Sequence, residues 1–394
     1  MLDFYQIRSP LSQITEKKME EYIKSVSAEL GEELNRVPLE TYINDDFALL
    51  YVASGGSEGY FIEVFDRLKD KPCYILTSGD SNSLAASMEI LSYLRQHGAK
   101  GEILHGGVEY IAGRIKTLRN AQLAKAKLKG KNFGTIGKPS SWLISSRVGA
   151  AAVKEKLGLN FIEIPIEELI EESKKESFEP NVYTEQLLAK NYDKAEVTKA
   201  LGVYGAVKRL CRKYELSAVT VRCFDLLDTV GTTGCLALAI LNSEGIYAGC
   251  EGDAPSLLSM MVLGTVTGKD CFLCNPSRLN AEDGTALFAH CTLPITMPES
   301  YELNTHFESG IGVAIQGTFT GGDCTIFKCA GDLSRFHAQE GEIVETPFSD
   351  MLCRTQIKVK VDDFSYFLTE PIGNHHIICR GKYAQAMEDF FSIL

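Results

Sequence analysis

VTVRCFDLL (219–227), GTTGCLALAILNSEGIYAGCEGD (231–253), CFLCNPSRL (271–279) and ALFAHCTLP (286–294) decide how this chain of 394 residues reads. Each run is apolar and β-rich or helix-forming. Each contains or ends at a small polar cluster: Arg222 with Asp225, Glu251 with Asp253, Asn275, and His290. Elements that run inward and stop at polar groups are how an α/β protein assembles a site at its strand ends. A further cluster, Gly373, Asn374, His375 and His376, follows an apolar run and a proline much later in the chain. The fold must bring it back.

Toward the N-terminus the same grammar repeats. FALLYVASGG (47–56) is a continuous apolar strand ending in glycines, followed by a helix through Phe61 to Leu68. CYILTSGDSNSLAASMEILSYLRQHG (73–98) is a buried strand, a polar turn, a capped helix and a glycine stop. GEILHGG, the 132–158 stretch and NFIEIPIEELIEE continue the series. A first helix is expected over 13–30, with Ser12 as its cap. Strands alternating with helices on short loops predict parallel βαβ units. The charged stretch 171–176 reads as a solvated helix face, and the first domain joint is expected at 172–181. From 285 onward short alternating runs predict an antiparallel sheet or barrel, closed by a helix over 383–391. The expected fold is therefore α/β, with Rossmann-like parallel-sheet parts at 1–175 and 176–284. A β-rich, barrel-like antiparallel part at 285–394 follows.

Composition narrows the function. The chain is 45% hydrophobic and 23% charged, with a net charge of −12 and no long basic block. Nucleic acid, whose phosphates demand a basic footprint, is not an expected partner. The first residues lack a basic-then-apolar leader, and no run of uncharged apolar residues is long enough to span a membrane. A cytoplasmic, soluble protein without a membrane partner is expected. The twelve cysteines mostly sit in apolar runs, where a thiol acts as a small hydrophobe rather than a disulfide partner. Cys271 and Cys274 have zinc-knuckle spacing, but no second Cys-x-x-Cys completes a four-ligand set.

Two loops lie where phosphate-binding loops lie, SGGSEG (54–59) and IGKPSSW (136–142). Neither has the glycine spacing of a dinucleotide or Walker loop, so they read first as tight turns. The other reading is a helix N-terminus that receives a sugar hydroxyl or an anionic group. Trp142, the lone tryptophan, serves equally as a packing wall or a sugar-stacking face.

CEGD (250–253), FLCNPSRL (272–279), AHC (289–291) and GNHH (373–376) occur in an order that resembles the L-fucose isomerase and L-arabinose isomerase superfamily. The chain is similar to its compact, fucose isomerase-like branch. The resemblance implies a Mn²⁺ or another divalent cation held by Glu251, by the residue at Asn275 and by His376. His375 stands beside His376 and His290 near the site. It departs from the family at Asn275, where a carboxylate is expected; an amide oxygen can ligate a hard cation but cannot accept a proton. The resemblance also implies a homo-oligomer, trimeric or hexameric, whose sites are completed by a neighbour's N-terminal part at loops 54–59 and 78–83.

The implied chemistry moves a carbonyl between C1 and C2 of a small-molecule sugar, a fucose- or arabinose-like or C6-modified aldose such as sulfoquinovose. Glu251 serves as ligand and base, with Asp225, Asp253 or a water as the second proton carrier. Arg222 orients a substrate hydroxyl or acid, and Asp253, His290, Asn374 and His375 bind substrate. Plainer readings stand beside these: Arg222 and Asp225 form a salt bridge, and Asp253 caps the following helix. The alternative function is a catalytically silent sugar-binding or scaffold member, because of Asn275.

Overall fold

Short apolar strands, each followed by an amphipathic helix, produce two parallel sheets, and a closed barrel follows the second. The computed structural model describes residues 1–68 and 71–394. Two compact units divide the chain: Met1–Ala124 with Asp389–Leu394, and Lys125–Glu388.

The first unit contains β1 (Leu2–Ile7), α1 (Glu16–Leu30), β2 (Leu34–Arg36), α2 (Leu39–Asn44), β3 (Leu49–Val52), α3 (Glu58–Leu68), β4 (Cys73–Leu76), α4 (Ser83–Gln96), β5 (Gly101–Leu104) and most of α5 (Val108–Leu128). α1 forms because Met19, Ile23, Val26 and Leu30 fall on one face and are buried. Its cap is Thr15 rather than Ser12: the Thr15 side chain accepts from the Lys18 amide, while Ser12 accepts from Ile14 in a local turn. The sheet order is β2-β1-β3-β4-β5, all parallel. In β3, Leu49 and Tyr51 join one hydrophobic core while Leu50 and Val52 join the other. That is why the strand reads as continuously apolar: both faces are covered.

The serine-rich loops at the strand ends of this unit find partners in one another. The Ser9 amide donates to Ser54 Oγ at 3.0 Å, the Gly55 amide to Ser81 O at 2.8 Å, and Thr77 Oγ1 to Ser83 Oγ at 2.8 Å. They behave as turns that hold each other.

The second unit begins with β6 (Asn132–Ile136), α6 (Ala150–Leu157), β7 (Asn160–Ile164), α7 (Ile166–Ser173), α8 (Val182–Ala189), α9 (Lys194–Lys213), β8 (Leu216–Val221), α10 (Asp225–Val230), α11 (Cys235–Ser243), β9 (Tyr247–Cys250) and α12 (Ala254–Thr267). Its parallel sheet runs β7-β6-β8-β9. β10 (Phe272–Asn280), β11 (Thr285–His290), a hairpin of β12 (Ser300–Asn304) and β13 (Ala314–Thr318), β14 (Gly322–Cys329), β15 (Phe336–Glu345), β16 (Thr355–Val361), α13 (Ser365–Thr369), β17 (His376–Arg380) and α14 (Ala384–Ser392) complete the chain. Six of these strands close into an antiparallel barrel in the order β10-β11-β16-β15-β14-β17.

The partition differs from the expected 1–175, 176–284 and 285–394. β6 and β7 belong to the second unit, because β6 pairs with β8 across all the intervening helices, Phe133 opposite Ala218. The first boundary therefore falls within α5, and the charged stretch at 171–176 merely ends α7. The barrel starts earlier than expected, at Phe272, because β10 is its first strand. Among the described residues no helix is long and apolar enough to cross a membrane.

Candidate metal centre

β9 ends at Cys250, and Glu251, Gly252 and Asp253 turn the chain into α12. The turn is left-handed, with φ of 64° at Glu251 and 70° at Gly252. Gly252 cannot be replaced cheaply, since a Cβ there would lie 2.8 Å from the Lys138 carbonyl oxygen. Glu251 carries backbone strain of about 1–3 kcal/mol at its position, the kind of outlier that marks a functional residue. The loop after β6 and the end of β8 hold the turn: the Ser140 amide donates to Glu251 O at 2.9 Å and the Gly252 amide to Val221 O at 3.2 Å. Asp253 caps α12 by accepting from the Ser256 amide at 3.0 Å.

The GNHH segment returns to this turn just before β17. His375, fully buried, donates from Nδ1 to Asp253 Oδ2 at 2.8 Å. Its Nε2 lies 3.6 Å from Glu251 Oε1, too far for a hydrogen bond, and has no other partner among the described residues. His290, the last residue of β11, sets its ring 5.4 Å from that of His375. Glu251, His290 and His375 offer ligand atoms that all lie within 4.8 Å of one another. On the outer side, Trp142 Nε1 donates to Glu251 Oε2 at 2.6 Å, although the indole is 52% exposed. Phe224 meets the indole edge-on at 5.0 Å.

Electrostatics follow from burial and pairing. Burial disfavours charge on Glu251, but the His375 ring outweighs it and holds the carboxyl below its ordinary value. Asp253 is buried too, and Lys328 and His375 hold it well below the carboxylate range. For His375 burial works against the imidazolium, yet Asp253 and Glu251 raise it to about 9. Burial, together with the charge on His375, pushes His290 down to about 4, leaving it neutral. At neutral pH the metal-free centre is two carboxylates around one imidazolium, with a neutral imidazole beside them.

The expected ligand of the histidine pair was His376, and here the structure differs. Adjacent residues entering a strand project to opposite sides. His376 sits opposite Cys274 in the barrel ladder and uses both ring nitrogens, Nε2 with Tyr366 Oη at 2.9 Å and Nδ1 with Asn374 O at 3.0 Å. Burial pushes it down to about 3. Asn275 accepts from Asn374 Nδ2 at 3.3 Å, so its amide oxygen is bonded to the residue before His375. Arg222 and Asp225 form an ion pair at 3.0 Å at the end of β8, so the plainer reading of that pair holds. Asp253 is both a cap and the partner of His375.

Sequence reasoning missed Lys328, which is buried beside Asp253 and Ser256. The signal was a single lysine inside the apolar strand CTIFKC (324–329). The pairing of Trp142 with Glu251 had no sequence signal, being 109 residues apart.

Two imidazoles and one carboxylate, facing one another with an unpartnered nitrogen among them, suit a divalent ion that keeps open positions for oxygen ligands. This buried group can hold a metal ion. Compared with models of known protein families and with the curated proteins, the chain matches none.

Proposed function

We propose that this protein is a metal-dependent aldose–ketose isomerase, acting through Mn²⁺ or another divalent cation held by Glu251, His290 and His375. The observation that carries the reading is the buried group of ligand-type atoms from Glu251, His290 and His375, all within 4.8 Å of one another, in which His375 Nε2 has no hydrogen-bond partner and faces Glu251 Oε1 at 3.6 Å. When bound, a divalent cation would supply positive charge that stabilises the negative charge developing on the sugar oxygens. Glu251 takes the proton from C2 and returns it to C1, its lowered pKa keeping it an acceptor at neutral pH, while the O2 hydroxyl proton passes to O1 through a water. The exposed indole face of Trp142 stacks on the apolar face of the sugar, while its N–H fixes the Glu251 carboxylate. His290, neutral and bonded to Thr292 at 3.2 Å, adds no charge to repel the ion.

A second reading, a sugar-binding protein without turnover, is favoured by Asn275, which stands where the resemblance implies a carboxylate. One experiment separates the two. Purified protein is assayed for bound metal, then incubated with a panel of aldoses in D₂O with and without Mn²⁺. The isomerase reading expects close to one ion per chain, ketose formation and deuterium at the exchanged carbon. Sugar binding without exchange would leave the second reading. Neither metal uptake nor sugar binding would sink both.

A further inference from the structure

Lys328 stands one residue before the end of β14 with its side chain 2% exposed. Its ammonium donates to Ser256 Oγ and lies 3.9 Å from Asp253 Oδ2. Ser256 in turn donates its hydroxyl proton to Asp253 Oδ2 at 2.6 Å, and its amide bonds the other carboxylate oxygen at 3.0 Å. Asp253 Oδ2 receives the His375 Nδ1 proton at 2.8 Å. Four buried polar side chains thus form one continuous array, from Lys328 through Ser256 and Asp253 to His375, ending at the unpartnered Nε2.

The lysine also lies near the segment that delivers the histidine. Gly373, at φ 73°, begins the turn into Asn374 and His375, and a Cβ there would lie 4.0 Å from Lys328 Cε. With its side chain 2% exposed and bonded to Ser256, the ammonium is enclosed rather than presented at the surface. It faces a carboxylate that already accepts three hydrogen bonds, one of them from His375. A histidine ligand needs its second nitrogen held so that the first presents its lone pair, and the group that holds it is itself held by others.

We propose that Lys328 is a positioning residue for the metal centre: by neutralising and aligning Asp253 it holds His375 with Nδ1–H toward Asp253 and Nε2 toward the ion. This rests on reading Glu251, His290 and His375 as a metal site, and it deepens that reading by adding a fourth chain segment to it. Lys328 acts through Asp253, so its effect and that of Asp253 share one path.

The test uses Lys328→Met, which keeps the stem's bulk and removes the charge, with Asp253→Asn, the double variant and Lys328→Arg. In the metal-free protein the His375 Nδ1–H is followed by ¹H–¹⁵N NMR, and Mn²⁺ affinity is measured by calorimetry. Loss of an outer partner of a ligand histidine costs roughly 10–100-fold in affinity. Lys328→Met is expected to lose that much and to shift or broaden the Nδ1–H signal, and Lys328→Arg to recover a substantial part of both. The double variant is expected to lose little beyond Asp253→Asn alone, since coupled residues are non-additive. Should Lys328→Met not fold, Lys328→Arg and Ser256→Ala carry the same comparison. An unchanged Nδ1–H signal, or losses that add in the double variant, would overturn the proposal. Wild type that takes up no Mn²⁺, while Lys328→Met still alters the signal, overturns the metal reading and leaves the positioning role standing.

Discussion

Two arrays in the second unit, one half-buried and one fully buried, each set a lysine, a carboxylate and a hydroxyl side by side, and they end differently. In the first, Glu244 Oε1 accepts from Lys208 Nζ at 2.7 Å, Tyr204 Oη at 2.7 Å and Asn181 Nδ2 at 2.8 Å. It ties α8, α9 and α11 together, and its donors converge on one oxygen. Only Glu244 Oε2, half of a charge already served, is without a partner. In the second, Lys328, Ser256, Asp253 and His375 run in series, and the series stops at an imidazole nitrogen facing Glu251 and His290. A network that closes on itself fastens helices. In the second array the atom without a hydrogen-bond partner is an imidazole nitrogen grouped with ligand-type atoms of Glu251 and His290, and that group can hold a metal ion.

The largest effect that tests this contrast is Glu251→Gln. Turnover of the converted aldose is expected to fall by roughly two to four orders of magnitude, the usual loss for one acid–base group. The circular dichroism spectrum should be unchanged. Near wild-type turnover in the Glu251→Gln variant would remove Glu251 from the chemistry.

The adjacent histidines come next. His375→Ala is expected to weaken Mn²⁺ affinity by at least the roughly 10–100-fold that loss of an outer partner costs. His376→Ala should leave affinity within a few-fold while lowering thermal stability, because its partners are Tyr366 and Asn374. The reverse pattern in calorimetry would restore His376 as the ligand.

Glu244→Gln separates the two arrays. Removing one partner of a fully buried pair costs about 3–5 kcal/mol. Here the side chains of Lys208 and Glu244 are 19% and 16% exposed, so a loss on the order of 2 kcal/mol is expected in urea melts. Mn²⁺ affinity should not change, and a change of tenfold would mean that the arrays are coupled.

The smallest effect is a proton count. With His375 raised to about 9 in the metal-free state, an ion must displace its proton to reach Nε2. Close to one proton per ion should be released at pH 7, and affinity should climb toward pH 9, by about tenfold per pH unit for a single competing proton. The sign for stability is opposite. A raised histidine value contributes fully below its unfolded value of 6.5 and is lost as pH rises through about 9. Metal-free protein should therefore melt lower across that window, and buffer-dependent calorimetry would show the released proton.

Much of the α/β plan was legible. Runs such as Leu49–Val52 and Cys73–Leu76 are short, apolar and followed by capped helices, and that period is a local property of the chain. Glu251 and Asp253 were legible because they end a strand and start a helix. The domain limits were not, since β6 reads like any other strand until it pairs with β8. The choice between His375 and His376 was not legible either. A one-residue change of register exchanges the two faces of a strand, and only the pairing of Cys274 with His376 fixes it.

The amino-acid sequence by itself determined where strands, helices and turns form, because side-chain period, caps and glycine stops act over a few residues. Tertiary structure alone decided which atoms meet. His375 reaches Asp253 across 122 residues, Lys328 reaches Ser256 across 72, and Trp142 reaches Glu251 across 109. Those distances are closed by the parallel sheet β7-β6-β8-β9, whose strand ends carry Trp142 and Glu251, and by the six-stranded barrel β10-β11-β16-β15-β14-β17, which carries Lys328 and leads in from His375; both orders follow from non-local pairing. Such pairing depends on summed burial and hydrogen bonding over the whole unit, which no single stretch encodes.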